Sequence, residues 1–424
     1  MIKFLFKGIL RDRSRSLLPV IVISIGVFLT VFMSGWMKGI FNDMIDLNAN
    51  FKTGHVKIMT RSYAENKEQT PNDLALMNVD ELSRKLNKEY PNMNWVKRIQ
   101  FGGLLDIPDD NGETRAQGPA YGKAIDFLSD DSKEIERMNI KNALKKGSLP
   151  KKRGQALISD DFAERFDVKV GDQVSIFGST MFGSMMLETF SVSGTISFGI
   201  TALDKGAILV DIKDAQKALD MENAASEILG YFKNKPYGEL RADSLKTSFN
   251  NKYSVESDEF SPLMLKLSDQ DNLKSLLERS ESISSVMITI FILAMSVVLW
   301  NTGLLGGLRR YTEYGIRLAL GESKGHIYKT IIYEAVLIGI IGSITGTILG
   351  VGLCLYLQKY GIDFSALMND IDMMLPPIYR AKVTPELYYI GFIPGLFAMV
   401  LGNALAGYAI FKRKTARLFK ELEV

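Results

Sequence analysis

Four stretches of this chain carry no charged side chain and are each long enough to cross a bilayer: Leu17 to Met37, Ile283 to Leu305, Ala335 to Leu357 and Leu387 to Phe411. At a rise of about 1.5 Å per residue, a helix of twenty or so residues spans a hydrocarbon core of roughly 30 Å. Inside that core every backbone amide must bond within its own segment, so isolated apolar runs of this length are read as helices. The mean hydropathy of +0.05 is that of an ordinary soluble protein only because it averages these runs with one long polar stretch.

Lys3, Lys7, Arg11, Arg13 and Arg15 precede the first run. A cleaved signal peptide would begin similarly, but the run is long and no A-x-A-like site follows, so it reads as an uncleaved anchor. Two more basic clusters flank the spans: Arg309, Arg310, Arg317, Lys324 and Lys329, then Lys412, Arg413, Lys414 and Arg417. The positive-inside rule puts all three clusters in the cytoplasm, and four spans return both termini to that side.

The expected fold class is a polytopic α-helical membrane protein with four transmembrane helices and a large mixed α/β extracytoplasmic domain between the first and second. Its layout is a cytoplasmic segment (1–16), transmembrane helix 1 (17–37), the extracytoplasmic domain with helical stalks (38–282) and transmembrane helix 2 (283–305). A cytoplasmic coupling loop (306–334), helix 3 (335–357), an extracytoplasmic loop (358–386), helix 4 (387–411) and a cytoplasmic tail (412–424) complete it.

Within the spans, Gly342, Gly346 and Gly350 recur every four residues, a spacing that lets a neighbouring backbone approach closely. Thr384 and Pro385 read as N-cap and first-turn proline of the fourth helix, and Pro394 should kink it. Asn301 and Asn403 are expected to hydrogen-bond between helices.

The first helix should continue beyond the membrane as a stalk, because Met37, Ile40, Phe41, Met44 and Ile45 prolong its apolar stripe while Lys38, Asn42, Asp43 and Asp46 occupy the other side. A second stalk should run from Ser268, a candidate N-cap, to Leu305 with Leu273, Leu276 and Leu277 on one face, about 55 Å in all. Between them, Asn78 to Tyr90 and Ser159 to Val168 read as helices, the latter with Asp161 and Glu164 at capping-box spacing. A turn at Gly171-Asp172 leads into a strand, Phe190 to Ser197 alternates as a half-buried strand, and Gly206 to Ile212 is a fully apolar strand followed by the helix DAQKALDM. Gly178 to Phe190, rich in methionine and glycine, reads as a hairpin with a soft apolar tip, although methionine fills gaps more often than it contacts ligands.

Several chemistries are excluded or disfavoured. A net charge of +3 does not suggest nucleic acid, two histidines (His55 and His326) make a histidine-rich metal site improbable, and a single cysteine, Cys354, permits no intramolecular disulfide. No G-x-x-x-x-G-K-[ST], H-E-x-x-H, C-x-x-C or G-x-S-x-G occurs. Glu334 stands at the edge of the third span, where pairing with Arg317 or Lys329 is the simpler reading than a proton relay. The arrangement of one span, a domain, then three spans lacks the internal symmetry of secondary transporters.

The loop RRYTEYGIRLALGESKGHIYKTIIYEA, Arg309 to Ala335, remains. Glu313 and Arg317 have the spacing of a helical ion pair, with Ile316, Ala319 and Leu320 on the opposite face. Gly315 and Gly321 permit sharp turns on either side, and Ser323 can cap the next helix. The reading is a small rigid helix tied to membrane helices at both ends, suited to passing force from a docked partner.

That loop, followed by IGIIGSITGTILG, closely resembles the FtsX-like permeases of ABC transporters, which include the MacB and LolC/LolE types. RDRSRSLLPVIVISIG, QALISDDFAERFDVKVGDQVSIFG and FSVSGTISF are similar to the same family, so the resemblance covers most of the chain. It implies that the loop is a coupling helix inserted into a groove of an ATPase, with Glu313, Gly315, Ile316, Arg317, Leu320 and Gly321 as the contact. Because the chain begins directly at the first span, the ATPase is expected on another subunit: a cytoplasmic ABC ATPase dimer that binds ATP and Mg, with no cofactor held here. The tail KRKTARLFKELEV departs from the family's proline-containing ending. LPVIVISIG, SGWMKGIF and TGHVKI look nearer the lipoprotein-releasing LolC/LolE branch, which extracts acylated proteins from the inner membrane.

Under that resemblance, Met33, Trp36, Met37, Ile40, Phe41 and Met44 could guide an acyl chain; the same stripe could instead pack on the second stalk of its own subunit or of a partner. Implied partners are a second permease copy or a related permease, membrane lipid, a lipoprotein substrate and a periplasmic acceptor. A MacB-like efflux permease and an FtsX-like signalling subunit controlling a periplasmic hydrolase are the alternatives.

Overall fold

The computed structural model describes residues 13–109, 111–198, 204–233, 236–270, 273–308, 311–364 and 378–412. Lys3, Lys7, Arg11, Arg309, Arg310, Arg413, Lys414 and Arg417 lie outside the described residues, as do the side chains of Leu276 and Leu277. The chain forms two compact units, one of membrane helices and one, Met44–Leu277, of mixed α/β structure.

The membrane unit contains four segments of the length and apolarity of membrane spans. Helix α1 (Arg13–Asn48) continues well past Met37, as the amphipathic extension predicts. Helix α2 is described over Leu273–Leu308, and the helix expected from Ser268 is interrupted: Ser268 lies in a 3-10 turn, Leu267–Asp269, followed by an extended Gln270, and donates its hydroxyl to Glu239 Oε1 at 2.8 Å. A short helix, α3 (Tyr311–Ala319), precedes α4 (Lys324–Tyr360).

The fourth span is not one regular helix. A turn of helix (Leu387–Ile390) leads to a π-helical segment (Ile393–Ala398) and then to α5 (Met399–Lys412). Pro394, which has no N–H to donate, sits at the start of the widened segment, so the expected kink takes the form of a π-bulge. Thr384 is not the N-cap; its hydroxyl donates to Glu386 Oε2 at 3.1 Å, and residues 385–386 make a turn before the helix begins.

The glycine row of α4 faces α1. An added Cβ would stand 2.6 Å from Ile23 at Gly342, 2.5 Å from the Ser24 carbonyl oxygen at Gly346 and 2.8 Å from Val31 at Gly350. Ile23, Val27, Val31, Leu299, Ile338, Val351, Cys354 and Met399 are buried together in this unit. Asn403 packs against Gly303 and Gly307 of α2, while its amide donates to Met399 of its own helix at 3.1 Å; Asn301 is exposed.

The α/β unit carries a ten-stranded sheet: β1 (Val56–Thr60), β2 (Met93–Pro108), β3 (Thr114–Ile125), β4 (Leu144–Gly147), β5 (Gln155–Ser159), β6 (Gln173–Ser179), β7 (Met185–Ile196), β8 (Ala207–Asp211), β9 (Glu227–Phe232) and β10 (Pro262–Lys266). The order is β10-β1-β9-β2-β3-β8-β5-β7-β4, and β6 bridges β2 and β7, closing six strands into a circuit. Strand β2 serves both halves, pairing β9 through Met93 to Arg98 and β3 from Ile99 onward.

Helices Val79–Glu89, Asp160–Arg165 and Ile212–Ala218 fall where amphipathic pattern places them. The cap of the second is Ser159, which accepts from the Phe162 amide, rather than the Asp161–Glu164 pair. Gly171 turns with φ of +105° ahead of β6. Strands β6 and β7 make the expected hairpin: Phe182 and Met185 are exposed at its tip, while Met181 and Met186 are buried beneath it.

Candidate functional site: the coupling helix and the head of the first leg

Helix α3 is fixed on one side and bare on the other. Tyr314 is buried, 4% exposed, and packs with Leu318 against Ile327 and Ile331 of α4. Glu313, Ile316, Ala319 and Leu320 point outward, with Leu320 83% exposed at the end of the helix. The helix stops in a Schellman motif: the Glu322 amide donates to Arg317 O at 3.1 Å and the Gly321 amide to Leu318 O at 3.1 Å, with Gly321 at φ of +91°. Where a hydrophobic contact often accompanies this motif, an ion pair stands instead, Arg317 gripping Glu322 through Nε at 2.7 Å and a second nitrogen at 2.9 Å. Ser323 then accepts from the His326 amide and caps α4.

Two expectations change. The described ion pair of Arg317 is with Glu322, because the tight turn at Gly321 brings that carboxylate back over the guanidinium. Gly315 is buried inside α3 and turns nothing; Gly321 alone takes the left-handed conformation.

The stripe on α1 is graded. Met33 and Met44 are exposed, and Met37, Ile40 and Phe41 between them are half-buried. Trp36 stacks on Phe32, with ring centroids 6.0 Å apart, and packs on the membrane core. Another face of α1 is covered by the segment before the fourth span: the Lys382 amide donates to Gly35 O at 2.9 Å, the Arg380 amide to Asp43 Oδ2 at 2.7 Å, and Lys38 pairs with Glu386. Farther along, Ile45 and Ala49 pack with Leu267 and Leu273 at the start of the second leg, so the end of the stripe is occupied by its own subunit.

A cluster of buried charge, not anticipated from the sequence, surrounds the end of α1. The helix passes into a π turn, Ala49–Thr53. Arg98, fully buried, donates to Glu134 Oε2 at 2.6 Å, Phe51 O at 2.7 Å and Asn50 O at 2.8 Å. Burial alone would raise the Glu134 carboxyl, but Arg98 and Arg137 outweigh it and hold the group below its ordinary value. Lys57 and Glu227 form a second buried pair at 2.5 Å. Lys123 donates to Phe51 O at 3.1 Å and lies over the Phe51 ring; burial, then the charge of Arg98, push it down to about 7. At His55, burial and then Arg137 push the ring down to about 4, and as a neutral ring it accepts from the Phe232 amide at 3.0 Å. The signal for this cluster was charge in otherwise apolar strands, Lys57 in VKIMT above all, but its partners come from distant strands.

Comparison with known proteins fixes the family. Residues 16–276 match the model of the MacB-like periplasmic core domain, and residues 285–415 that of the FtsX-like permease C-terminal region. The chain belongs to the MacB/LolC family of ABC transporter permeases.

Among relatives of this permease, the lipoprotein-releasing system transmembrane protein LolC of Xylella fastidiosa (strain Temecula1 / ATCC 700964) is 25% identical over 296 residues, 68% of this chain and 67% of that protein. The macrolide export ATP-binding/permease protein MacB of Neisseria gonorrhoeae is 29% identical over 102 residues, 23% of this chain and 16% of that protein. The solved periplasmic region of MacB from Actinobacillus actinomycetemcomitans covers 55% of this chain and 95% of its own length, at 10% identity and a TM-score of 0.36. The permease is thus a multi-pass inner-membrane protein with its α/β domain between the first and second helices.

Proposed function

We propose that this permease couples ATP hydrolysis, carried out by an ABC ATPase outside these 424 residues, to the release of lipoprotein from the inner membrane. The observation that carries the coupling is the two-sidedness of α3: Tyr314 and Leu318 lock it to α4, while Ile316 and Leu320 stand bare. A helix so fixed moves as a unit with the membrane helix behind it, and an exposed apolar ridge beside Glu313 suits the groove of a second protein. Glu313, Gly315, Ile316, Arg317, Leu320 and Gly321 form or shape that contact. ATP and Mg bind in the partner, and the positive-inside rule applied to the basic clusters supports both termini of the permease in the cytoplasm.

Lipoprotein release is supported by the LolC relative, matched over about two thirds of both chains, whereas the MacB match covers about a quarter of this one. The half-buried stripe from Met33 to Met44 offers apolar surface along the first leg for an acyl chain. A second permease copy or a related permease completes the transporter.

The test is to purify the tagged permease in mild detergent with its ATPase, comparing wild type with Leu320→Asp and Ile316→Asp. Both side chains are exposed, so the variants fold; the ATPase is expected to be lost from the complex and lipoprotein to remain in the membrane. Full retention of the ATPase by the double variant refutes the docking surface. An adaptor or a periplasmic hydrolase in place of a lipoprotein among the co-purifying proteins would instead support export or signalling.

A further inference from the structure

The last turn of a helix leaves backbone carbonyls with no partner in the helix, and they carry the negative end of its dipole. In most helices solvent or a glycine turn satisfies them. At the end of α1 they are met by side chains from the body of the α/β domain. Ala49 O accepts from the Gly54 amide at 2.7 Å and, more loosely, from Tyr231 Oη at 3.3 Å. Asn50 O accepts from Arg98 at 2.8 Å and from Tyr231 Oη at 3.3 Å. Phe51 O accepts from Arg98 at 2.7 Å and from Lys123 at 3.1 Å. Thr53 O accepts from Gln270 Nε2 at 3.2 Å.

These donors come from three strands, β2, β3 and β9, and from the segment that opens the second leg. Gln270 is 2% exposed and also donates to Lys266 O, while Leu267 and Leu273 pack on Ile45 and Ala49. Arg98 is in turn held by Glu134, whose other oxygen is taken by Arg137, and the Arg137 guanidinium lies 3.9 Å from the Tyr231 ring centre.

We propose that Arg98, Tyr231 and Gln270 are positioning residues of a rigid joint that locks the end of the first leg to both the sheet and the start of the second leg, so that displacement of α1 moves the outer domain. The planar fork of Arg98 suits it to this place, because it reaches two successive carbonyls and a carboxylate at once. An amphipathic stalk held by apolar contact alone could slide or rotate about its axis; carbonyls bonded at fixed angles to three strands cannot. The joint deepens the proposed transport reading and rests on it for its purpose, but its existence is testable separately.

The experiment is hydrogen–deuterium exchange on the full-length permease, co-purified with its ATPase, before and after trapping with ATP and vanadate. The variants are Arg98→Lys, which keeps the charge beside Glu134 but loses the fork, and Gln270→Met, which keeps size and loses the bonds to Thr53 O and Lys266 O. In both, exchange at residues 50–54 is expected to rise at least tenfold while β8 keeps its protection, showing that the domain is folded. Trapping should alter exchange in β9 and β10 of the wild type, and that response should vanish in both variants. Unchanged exchange at residues 50–54 in both variants overturns the joint, and so does a wild-type trapping response in variants whose 50–54 segment has loosened. If trapping alters nothing in the wild type's outer domain, the transport reading fails, while the 50–54 measurement still decides whether the joint exists.

Discussion

Gly346 offers the sharpest test of how the membrane unit is packed. Its missing side chain faces the backbone of α1, and a Cβ there would meet the Ser24 carbonyl oxygen at 2.5 Å and Val27 Cβ at 2.7 Å. Ordinary van der Waals contact begins near 3.4 Å, so Gly346→Ala requires α1 and α4 to separate by about 0.9 Å at this point (3.4 minus 2.5). A backbone oxygen cannot turn aside as a side chain can. Overpacking of this kind costs about 1–3 kcal/mol, and separation of the helices also weakens the contacts made around Gly342 and Gly350. Gly342→Ala is expected to be milder, because the nearest atom, Ile23 Cγ2 at 2.6 Å, belongs to a side chain. Gly352, on the same helix with nothing within 4 Å of an added Cβ, is the control. Thermal unfolding of the three variants in mild detergent should show Gly346→Ala least stable by several degrees and Gly352→Ala at or above wild type. Equal melting of Gly346→Ala and Gly352→Ala would refute the packing argument.

Lys123 predicts a pH dependence with a definite sign. Its folded value is about 7 against about 10.5 for a free lysine, so below pH 7 both states hold the proton and the whole cost of burying the charge is present. Between pH 7 and 10 the unfolded chain binds more protons and that cost is relieved as pH rises. The stability of Lys123→Met relative to wild type should therefore decline from pH 6.5 to 9.5, by a few kcal/mol in order of magnitude; a flat or rising difference in denaturant titrations would show that the lysine is not buried as charge. Tyr314→Ala should leave a cavity against Ile327 and Ile331 worth roughly 3 kcal/mol, exposing residues 311–323 to trypsin at Arg317 while the outer domain stays resistant. Ile40→Asn with Phe41→Asn is expected to block lipoprotein release from membrane vesicles without disturbing assembly, and normal release by an assembled double variant would remove the acyl-guiding role.

What the sequence determined by itself follows from solvent. Uncharged runs of twenty or more residues have one stable answer in a bilayer, and the amphipathic stripe after Met37 has one in water, so the spans, the continued first leg and most domain helices could be read without any partner residue. Caps at Ser323 and the turn at Gly321 are equally local. Tertiary structure decided the rest. Arg317 turned to Glu322 because a Schellman turn folded the chain back; Ser268 bonded to Glu239 from a 3-10 turn instead of capping the second leg; and the glycine row of α4 acquired a meaning only when α1 lay against it. The buried charges around the end of α1 were least legible of all. Arg98, Lys123, Glu134 and Tyr231 are scattered over more than a hundred residues, and their low-dielectric contact exists only once strands β9, β2 and β3 lie side by side in the sheet. Local physics fixed what each segment is, and long-range packing fixed what each charge touches.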